Sequence, residues 1–184
     1  MTFDVRKTSL ASPVAQSLIT CLNESLAAAN PDPKAHSWTL NSTDIESGLG
    51  AFVVAYRDEI PIACGAVRKI ILAADDGAVI RKCGLLVDDA TTGEVIERVS
   101  SVAEVKRMFV TEEWRGSGVA VQLMETLEAI ARTECGVSLL LLETGPYLTP
   151  ARKFYEKIGF RPVPGYGEYK KKGEEFSVCY GKNV

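Results

Sequence analysis

The sequence predicts one domain of the mixed α/β (α+β) class, and three patterns indicate it. Residues 103–131 pass from an apolar strand through a glycine-containing turn into an amphipathic helix. Residues 137–142 form an unbroken apolar run, as expected for a strand buried on both faces. The runs 51–56 and 60–72 predict a hairpin. Because 184 residues with 46% hydrophobic side chains suffice for one core, residues 1–184 are predicted to form a single domain.

The N-terminal part predicts an edge strand followed by a helix. Apolar and polar side chains alternate over residues 3–7, which is typical of a strand at the edge of a sheet. Ser12 followed by Pro13 predicts a helix start, and the helix is expected to end near Asn30, before Pro31. Apolar residues recur along it at helical spacing and predict its core-facing side: Val14, Leu18, Leu22 and Leu26.

Two stretches outside these elements have open roles. Residues 36–50 are polar and predict a surface loop, in which the single histidine, His36, is either a candidate proton acceptor or a side chain without a role. Residues from about 73 to 101 contain polar turns and predict an inserted hairpin. A hairpin at this position is expected to cover either the functional site or an interface.

The C-terminal part predicts a short helix and two more strands. Thr149 and Pro150 are predicted to cap the helix, and Gly159 is predicted to end it. The inner face of this helix is predicted to carry Ala151, Phe154, Tyr155 and Ile158. Residues 160–183 predict two strands around a charged turn at residues 170–175, which we interpret as solvated.

Composition excludes several classes of function. Five scattered cysteines and one histidine predict neither a metal site nor a disulfide framework. A net charge of -3 argues against a nucleic-acid surface and gives a cationic substrate a mildly favourable field. The start of the chain has no apolar segment of signal-peptide length, and no run approaches a membrane span. We therefore expect a cytoplasmic protein without a membrane partner, and a homodimer is left open.

The turn Arg115-Gly-Ser-Gly-Val-Ala120 has the features of a phosphate-binding loop. Gly116 and Gly118 lack Cβ atoms, so a ligand can approach the backbone closely. The helix that follows leaves its first amide groups without intrahelical partners, and its positive end adds to the charge of Arg115. These groups suit an anion such as a pyrophosphate. Two glycines before a helix are also compatible with a plain tight turn.

Three nucleotide-binding patterns compete for this turn. A Walker loop requires Gly-Lys-Ser or Gly-Lys-Thr, and neither tripeptide follows these glycines. A dinucleotide fingerprint requires a third small residue where Val121 stands, although Glu143 can mimic the acid that binds the ribose in that fingerprint. The third pattern, Arg/Gln-x-x-Gly-x-Gly/Ala, is met at every specified position by Arg115, Gly118 and Ala120.

This third pattern resembles motif A of the GNAT superfamily of acyl-coenzyme A (acyl-CoA) dependent N-acyltransferases. The resemblance extends to residues 139–145, which are similar to the fifth strand of the family. It also extends to residues 151–160, whose Phe-Tyr-x-x-x-Gly-Phe element is similar to its fourth helix and sixth strand. The resemblance implies a GNAT-like fold, in which a mixed, mostly antiparallel seven-stranded sheet is flanked by helices. It further implies that coenzyme A binds between splayed fourth and fifth strands.

The resemblance implies acetyl-CoA as the acyl donor and a set of residues that bind it, with no metal. A bulge near Phe109 and Val110 is expected to free backbone amides for the pantetheine arm and the thioester carbonyl. The expected cofactor-binding residues are Met108, Phe109, Val110, Arg115, Gly116, Ser117, Gly118, Val119 and Ala120.

The resemblance also implies two catalytic residues. An amine with a pKa of about 10 must lose a proton before it attacks a thioester, and the departing thiolate must gain one. Glu104, eleven positions before Arg115, has the register of the glutamate base of the family, and Tyr155 has the position of its general acid. The alternatives are a surface Glu104 paired with Lys106 or Arg68, a water chain as the base, and a Tyr155 that only packs.

The resemblance leaves the acceptor open. Our first hypothesis is an N-acetyltransferase that acts on a small-molecule primary amine by direct attack in a ternary complex. The second is a protein lysine or N-terminal amine as acceptor. A hypothesis of another class is a non-catalytic acyl-CoA sensor that binds a protein partner. Glu143 and Thr144 either face the acceptor or only end their strand, and the acyl-chain preference is not specified.

Overall fold

The computed structural model describes residues 2–30, 32, 40–73, 76, 80, 82–85, 101–171 and 173–184. Within these residues the chain forms one seven-stranded sheet and three α-helices. The strands are β1 Asp4–Lys7, β2 Gly50–Arg57, β3 Ile60–Ile71, β4 Ser101–Val110, β5 Leu139–Thr144, β6 Arg161–Val163 and β7 Val178–Asn183. The helices are α1 Pro13–Ala29, α2 Val119–Thr133 and α3 Thr149–Lys157.

The strand order in the sheet is β1-β2-β3-β4-β5-β7-β6. All neighbouring strands run antiparallel except β4 and β5, which are parallel and are connected through α2. A parallel pair needs such a crossover, whereas an antiparallel pair can be closed by a short turn. The predicted fold class, a mixed and mostly antiparallel seven-stranded sheet with flanking helices, is confirmed.

Local sequence signals explain the first three strands and α1. Asp58 and Glu59 both adopt positive φ angles, of 51° and 62°, in the two-residue turn between β2 and β3. Turns of this kind match the twist of a hairpin. Helix α1 begins after Ser12, whose Oγ accepts a hydrogen bond of 3.2 Å from the amide of Ala15, and Pro13 is its first residue. The predicted hairpin and first helix are confirmed.

The C-terminal part differs from the prediction in two ways. Leu148, and not Thr149, occupies the N-cap position of α3, because Thr149 already lies in the helix. The strand after α3 is only three residues long, and residues Gly167–Lys171 form a short 3-10 helix instead. The reason is that Tyr166 and Tyr169 bury their rings against the sheet, which a continuous exposed hairpin would prevent.

The sheet separates two apolar layers. Alternate residues of β2 belong to different clusters: Val53 packs in the layer of α2 and α3, whereas Phe52 and Val54 pack with α1. This alternation follows from the two-residue period of a strand. Along β5, Leu140 and Leu142 pack in the layer of α2 and α3, so Leu139 and Leu141 lie on the α1 face. These two leucines pack with Tyr166 and Tyr169, which places that cluster on the α1 face as well.

Strands β4 and β5 separate after a short paired segment. Their pairing runs from Ala103 opposite Leu140 to Val105 opposite Leu142, although β4 continues to Val110. Beyond Val105 the edge of β4 is therefore uncovered. The predicted splay of the fourth and fifth strands is confirmed.

A β-bulge distorts β4 at this gap. Cys64 of β3 pairs with Phe109 of β4, and Ala66 pairs with Lys106. Gly65, the one residue between Cys64 and Ala66, therefore lies opposite two residues of β4, Arg107 and Met108. Arg107 adopts a φ of 57°, which is uncommon for a residue other than glycine. The bulge thus lies just before Phe109 and Val110, where the sequence placed it.

Part of the sequence-based assignment lies outside the described residues. His36 and most of the stretch 73–101 lie outside the described residues, so the inserted hairpin stays a prediction. Within that stretch Asp76, Ile80 and Lys82 are helical, and Ile80 is buried. No helix in the described part of the chain is both long and apolar enough to cross a membrane.

Candidate active site

A cavity of about 140 Å³ occupies the gap between β4 and β5. Its wall is formed by β4, the end of β5 and the segment that leads into α3, and α1 closes one side. The lining residues are Leu22, Leu26, Val105, Lys106, Arg107, Met108, Glu143, Thr144, Gly145, Tyr147, Leu148, Ala151, Tyr155 and Tyr169. The cavity therefore combines apolar walls with two cationic side chains and one carboxylate.

The predicted phosphate-binding loop lies between β4 and α2. Gly116 and Gly118 have positive φ angles of 79° and 92°, and a Cβ built on either would meet no atom within 4 Å. Both backbones therefore face open space. Ser117 shapes the turn, because its Oγ donates a 2.7 Å hydrogen bond to the carbonyl of Trp114 and accepts one of 3.4 Å from the Val119 amide. The exposed Arg115 donates from Nε to the carbonyl of Val110 at 3.3 Å.

The main chain of β4 presents polar groups to the gap. The amide of Thr111 donates to the carbonyl of Ile62 in β3 at 2.9 Å. Because successive amides of a strand point in opposite directions, the amide of Val110 points away from β3, towards the gap. The carbonyl of Val110, which accepts from Arg115, points the same way. The uncovered edge of β4 and the phosphate-binding loop thus form one continuous polar surface.

Tyr155 lies on α3 and lines the cavity. Its ring is 7% exposed and packs with Phe154, Phe160 and Tyr180 at centroid distances of 5.4, 5.8 and 6.4 Å. Burial raises the pKa of the Tyr155 hydroxyl above its usual value, and the carboxylate of Glu143 adds to the effect. Tyr155 is therefore protonated at neutral pH and can donate a hydrogen bond.

Glu104 is buried beneath the cavity instead of lining it. The residue is 1% exposed, which excludes the alternative of a solvent-facing carboxylate. Its Oε2 accepts a 2.8 Å hydrogen bond from Nε of Arg68, and its Oε1 accepts one of 3.0 Å from the hydroxyl of Tyr166. Lys106 stands next to it, with Nζ at 3.6 Å from Oε2. Through Lys106 the Glu104 carboxylate is connected to the cavity.

Lys106 and Tyr169 are cavity residues that the sequence did not identify as part of the site. Nζ of Lys106 donates a 2.9 Å hydrogen bond to the hydroxyl of Tyr169. Burial lowers the pKa of Lys106 below its usual value, although the nearby Glu104 carboxylate opposes this effect. The two-residue spacing from Glu104 is a signal for Lys106, because residues i and i+2 of a strand share a face. No local signal identifies Tyr169.

Glu143 and Thr144 both line the cavity, so the end of β5 forms part of its wall. Arg107 lines it from the bulge of β4, and its Nη1 donates to Oδ1 of Asn23 in α1 at 3.3 Å. Burial lowers the pKa of the Arg107 guanidinium. The cavity thus places charges of both signs in a poorly solvated environment.

We predict that Lys106 titrates below pH 10.5 in the folded protein, because burial disfavours its charged form. Replacing Glu104 with glutamine is expected to lower this pKa further, since the Glu104 charge stabilises the ammonium. The measurement is the pH dependence of the Lys106 Cε chemical shift by ¹³C NMR in the wild type and in Glu104→Gln. A midpoint at or above 10.5 in the wild type would contradict the burial argument.

The model of the GNAT acetyltransferase domain matches residues 48–162. An IAA acetyltransferase of Azospirillum brasilense is 36% identical over 101 residues, which are 55% of this chain. The matched region spans about 60% of the length of that relative.

Two solved structures show the same fold. An acyl-CoA N-acyltransferase described from Klebsiella pneumoniae superposes with a TM-score of 0.68 at 17% identity, covering 100% of this chain and 98% of the other. The PaiA N-acetyltransferase of Thermoplasma acidophilum, solved in complex with coenzyme A, gives a TM-score of 0.62 at 15% identity and covers 100% of both chains. The predicted resemblance to this family is confirmed. The chain belongs to the GNAT family of acetyltransferases.

Proposed function

We propose that the protein transfers an acetyl group from acetyl-CoA to the primary amine of a small molecule, by direct attack in a ternary complex. The observation that carries this proposal is the gap between β4 and β5. At one end it meets an open glycine loop at the start of a helix, and at the other a cavity with titratable side chains. An elongated donor can therefore place a pyrophosphate and a thioester in the two parts at once.

The donor-binding surface consists mainly of backbone groups. The loop amides and the positive end of α2 bind the pyrophosphate, assisted by Arg115. The proposed set on this loop is Arg115, Gly116, Ser117, Gly118, Val119 and Ala120. Along β4 the main chain of Met108, Phe109 and Val110 pairs with the pantetheine arm, much as another strand would. The crystallised complex of the PaiA enzyme with coenzyme A supports a donor of this class.

The acceptor amine attacks the carbonyl carbon of the thioester. A C–N bond forms, the carbonyl oxygen becomes an oxyanion, and the amide of Val110 is placed to stabilise this oxyanion. The attached nitrogen still carries one proton more than the amide product. When the C–S bond breaks, the thiolate takes the proton of the Tyr155 hydroxyl, and the nitrogen reprotonates Tyr155 with its extra proton. The raised pKa of Tyr155 keeps that proton available at neutral pH, and the thiolate leaves as a thiol.

Two carboxylates are candidates for removing the proton of the acceptor ammonium. Glu143 lines the cavity and can contact the amine directly. Glu104 is held by Arg68 and Tyr166, so it acts on the amine only through Lys106. We assign the direct proton acceptor to Glu143. The proposed role of Glu104 as base is thereby an indirect one, in which it sets the charge and position of Lys106.

A small acceptor fits this cavity. A cavity of about 140 Å³ holds a compact molecule, with α1 closing one side. The Azospirillum relative is named for a small-molecule substrate, which agrees with this size. The direct experiment measures thiol release from acetyl-CoA with amines, amino acids, polyamines and peptides, and donor binding by calorimetry in parallel. Turnover with peptides alone would favour a protein acceptor, and donor binding without any turnover would favour the sensor.

Gly118→Glu is predicted to weaken binding of acetyl-CoA by about tenfold or more, because it places bulk and a negative charge at the proposed pyrophosphate position. Gly136→Glu is the matched control. Gly136 also has a positive φ, of 65°, and open space around its Cβ position, but it follows the C-terminal end of α2. Calorimetry measures both variants. Equal affinities of the two variants for acetyl-CoA would contradict the proposal that this loop binds the pyrophosphate.

Tyr155→Phe is predicted to lower kcat by about 10²-fold, in the range of general acid catalysis, and to leave the Kd of acetyl-CoA nearly unchanged. The matched control is Tyr180→Phe, since Tyr180 packs against Tyr155 but does not line the cavity. Steady-state kinetics and calorimetry give the two quantities. A Tyr155→Phe enzyme with the kcat of the Tyr180→Phe enzyme would exclude Tyr155 as the acid.

The two glutamine variants are predicted to affect different properties. Glu143→Gln should lower turnover, and Glu104→Gln should lower stability. Glu143→Gln should lower kcat/KM for the acceptor at neutral pH and recover towards high pH, where the free amine needs no base. Glu104→Gln should lower the free energy of unfolding by roughly 2 kcal/mol, because Arg68 and Lys106 lose the buried carboxylate that they share and Arg68 keeps only the ion pair with Asp44 among those described. Rate against pH and chemical denaturation are the measurements. A pH-independent loss in Glu143→Gln would contradict its assignment as base.

A further inference from the structure

The gap between β4 and β5 has a closed end with apolar walls. Parallel pairing stops at Val105 and Leu142, which are 4% and 1% exposed, so the two strands seal the gap there. Val105, Met108 and Tyr155 line the cavity and also pack in the layer of α2 and α3. Ala151 shares both properties. On this side of the sheet the cavity is therefore bounded mainly by hydrocarbon groups and by the thioether of Met108.

The side chain of Met108 lies directly over Gly65 of β3. A Cβ atom built on Gly65 would be 2.6 Å from Sδ of Met108 and 3.0 Å from Cδ1 of Leu127 in α2. Both distances are shorter than an ordinary van der Waals contact, so Met108 and Leu127 already fill the space above Gly65. Strand β3 lies on one side of Met108 and the gap on the other. The Met108 side chain is therefore packed against β3 and separates it from the cavity.

The proposed donor would bring its acyl group to this closed end. In the donor site described above, the pyrophosphate binds at residues 115–120 and the pantetheine arm follows β4 from Val110 towards the start of the strand. The acyl group is the last part of acyl-CoA, so it lies furthest from the loop. With the thioester oxygen at the amide of Val110 and the sulfur beside Tyr155, the acyl carbons extend towards Met108 and Val105.

On these observations, and given the function proposed above, we infer that Met108, held by Gly65, sets the length of the acyl group that the protein transfers. The acyl pocket is the space between Val105, Met108 and Ala151, and it accepts an acetyl group. Each further methylene group meets the Met108 side chain, which cannot retreat because it already lies against β3 and Leu127. Extra volume in a filled apolar site is destabilising, so longer acyl groups are disfavoured.

A series of donors tests the inference on the wild-type protein. Calorimetry measures the Kd of free coenzyme A, acetyl-CoA, propionyl-CoA, butyryl-CoA and hexanoyl-CoA. We expect butyryl-CoA and hexanoyl-CoA to bind at least about tenfold more weakly than acetyl-CoA, because their added methylene groups do not fit beside Met108. The kcat/KM for thiol release, with an amine that turns over, should fall in the same order. The binding series needs neither a known acceptor nor a folded variant.

Met108→Ala is expected to enlarge the acyl pocket and to reverse this order. The substitution removes Cγ, Sδ and Cε, so butyryl-CoA should bind about tenfold more tightly than acetyl-CoA, since each methylene group is then buried in apolar surroundings. The matched control is Met124→Ala, which removes the same atoms. Met124 is 1% exposed in α2 and packs in the same layer, but it is not among the described residues that line the cavity. The control should keep the wild-type order.

Gly65→Ala is expected to narrow the acyl pocket. Gly65 lies within β3 and has no positive φ angle, so its backbone accepts alanine, but the new methyl group displaces Sδ of Met108. Because β3 blocks the other side, Met108 moves towards the gap. The Kd of propionyl-CoA should rise at least about tenfold, whereas that of free coenzyme A should not change. The double variant Gly65→Ala/Met108→Ala should bind propionyl-CoA again, since the new methyl group then meets no thioether.

Hexanoyl-CoA that binds the wild type as tightly as acetyl-CoA would overturn this inference and leave acetyl transfer intact. The same chain-length order in Met108→Ala and Met124→Ala would overturn it as well. Weak propionyl-CoA binding that persists in the double variant would exclude the contact between Gly65 and Met108 as the cause. Circular dichroism and thermal melting check that each variant is folded. Failure of the proposed function itself looks different, because free coenzyme A would then not bind and no donor would release thiol with any acceptor.

Discussion

The separation of β4 from β5 is the constraint on which the rest of the site depends. Parallel pairing ends at Val105 and Leu142, so the last part of β4 has an edge without a neighbouring strand. An uncovered edge inside a sheet presents backbone groups that need partners. Helix α2 follows β4 closely, which brings its N-terminal amides to the same gap. The bulge at Arg107 then turns side chains of β4 into the cavity. Donor surface and acceptor cavity thus arise from one break in the sheet.

A buried polar cluster supports the acceptor side of this gap. Glu104 accepts hydrogen bonds from Arg68 of β3 and from Tyr166, and it lies next to Lys106. Removing any one partner leaves a buried charge or hydroxyl unsatisfied, so the group behaves as a unit. Through Tyr166 the cluster fixes the C-terminal segment against the sheet, and that segment supplies Tyr169 to the cavity wall. The carboxylate of Glu104 therefore links β4 to β3 through Arg68 and to the C-terminal segment through Tyr166.

Much of the fold could be predicted from the sequence because its signals are local. The Ser12-Pro13 helix start, the hairpin turn and the glycines of the loop each depend on neighbours in the chain. The burial of Glu104 and the position of Tyr166 depend on contacts between residues 62 positions apart, which no local pattern encodes. The two strands predicted over residues 160–183 are present as β6 and β7, whereas the buried tyrosine segment between them depends on distant contacts and was not predicted. Arg107 was not predicted as a cavity residue, because the bulge interrupts the alternation of side chains along β4. In a regular strand Arg107 would lie on the face opposite to Lys106.

The most direct test of the central claim is a crystal structure of the protein with acetyl-CoA. We expect the pyrophosphate to lie within hydrogen-bond distance of backbone amides of residues 116–120. We also expect the pantetheine arm to run along β4 past Val110 and the thioester to lie beside Tyr155. A donor bound elsewhere, or a closed gap in which β5 pairs with β4 beyond Val105, would contradict it.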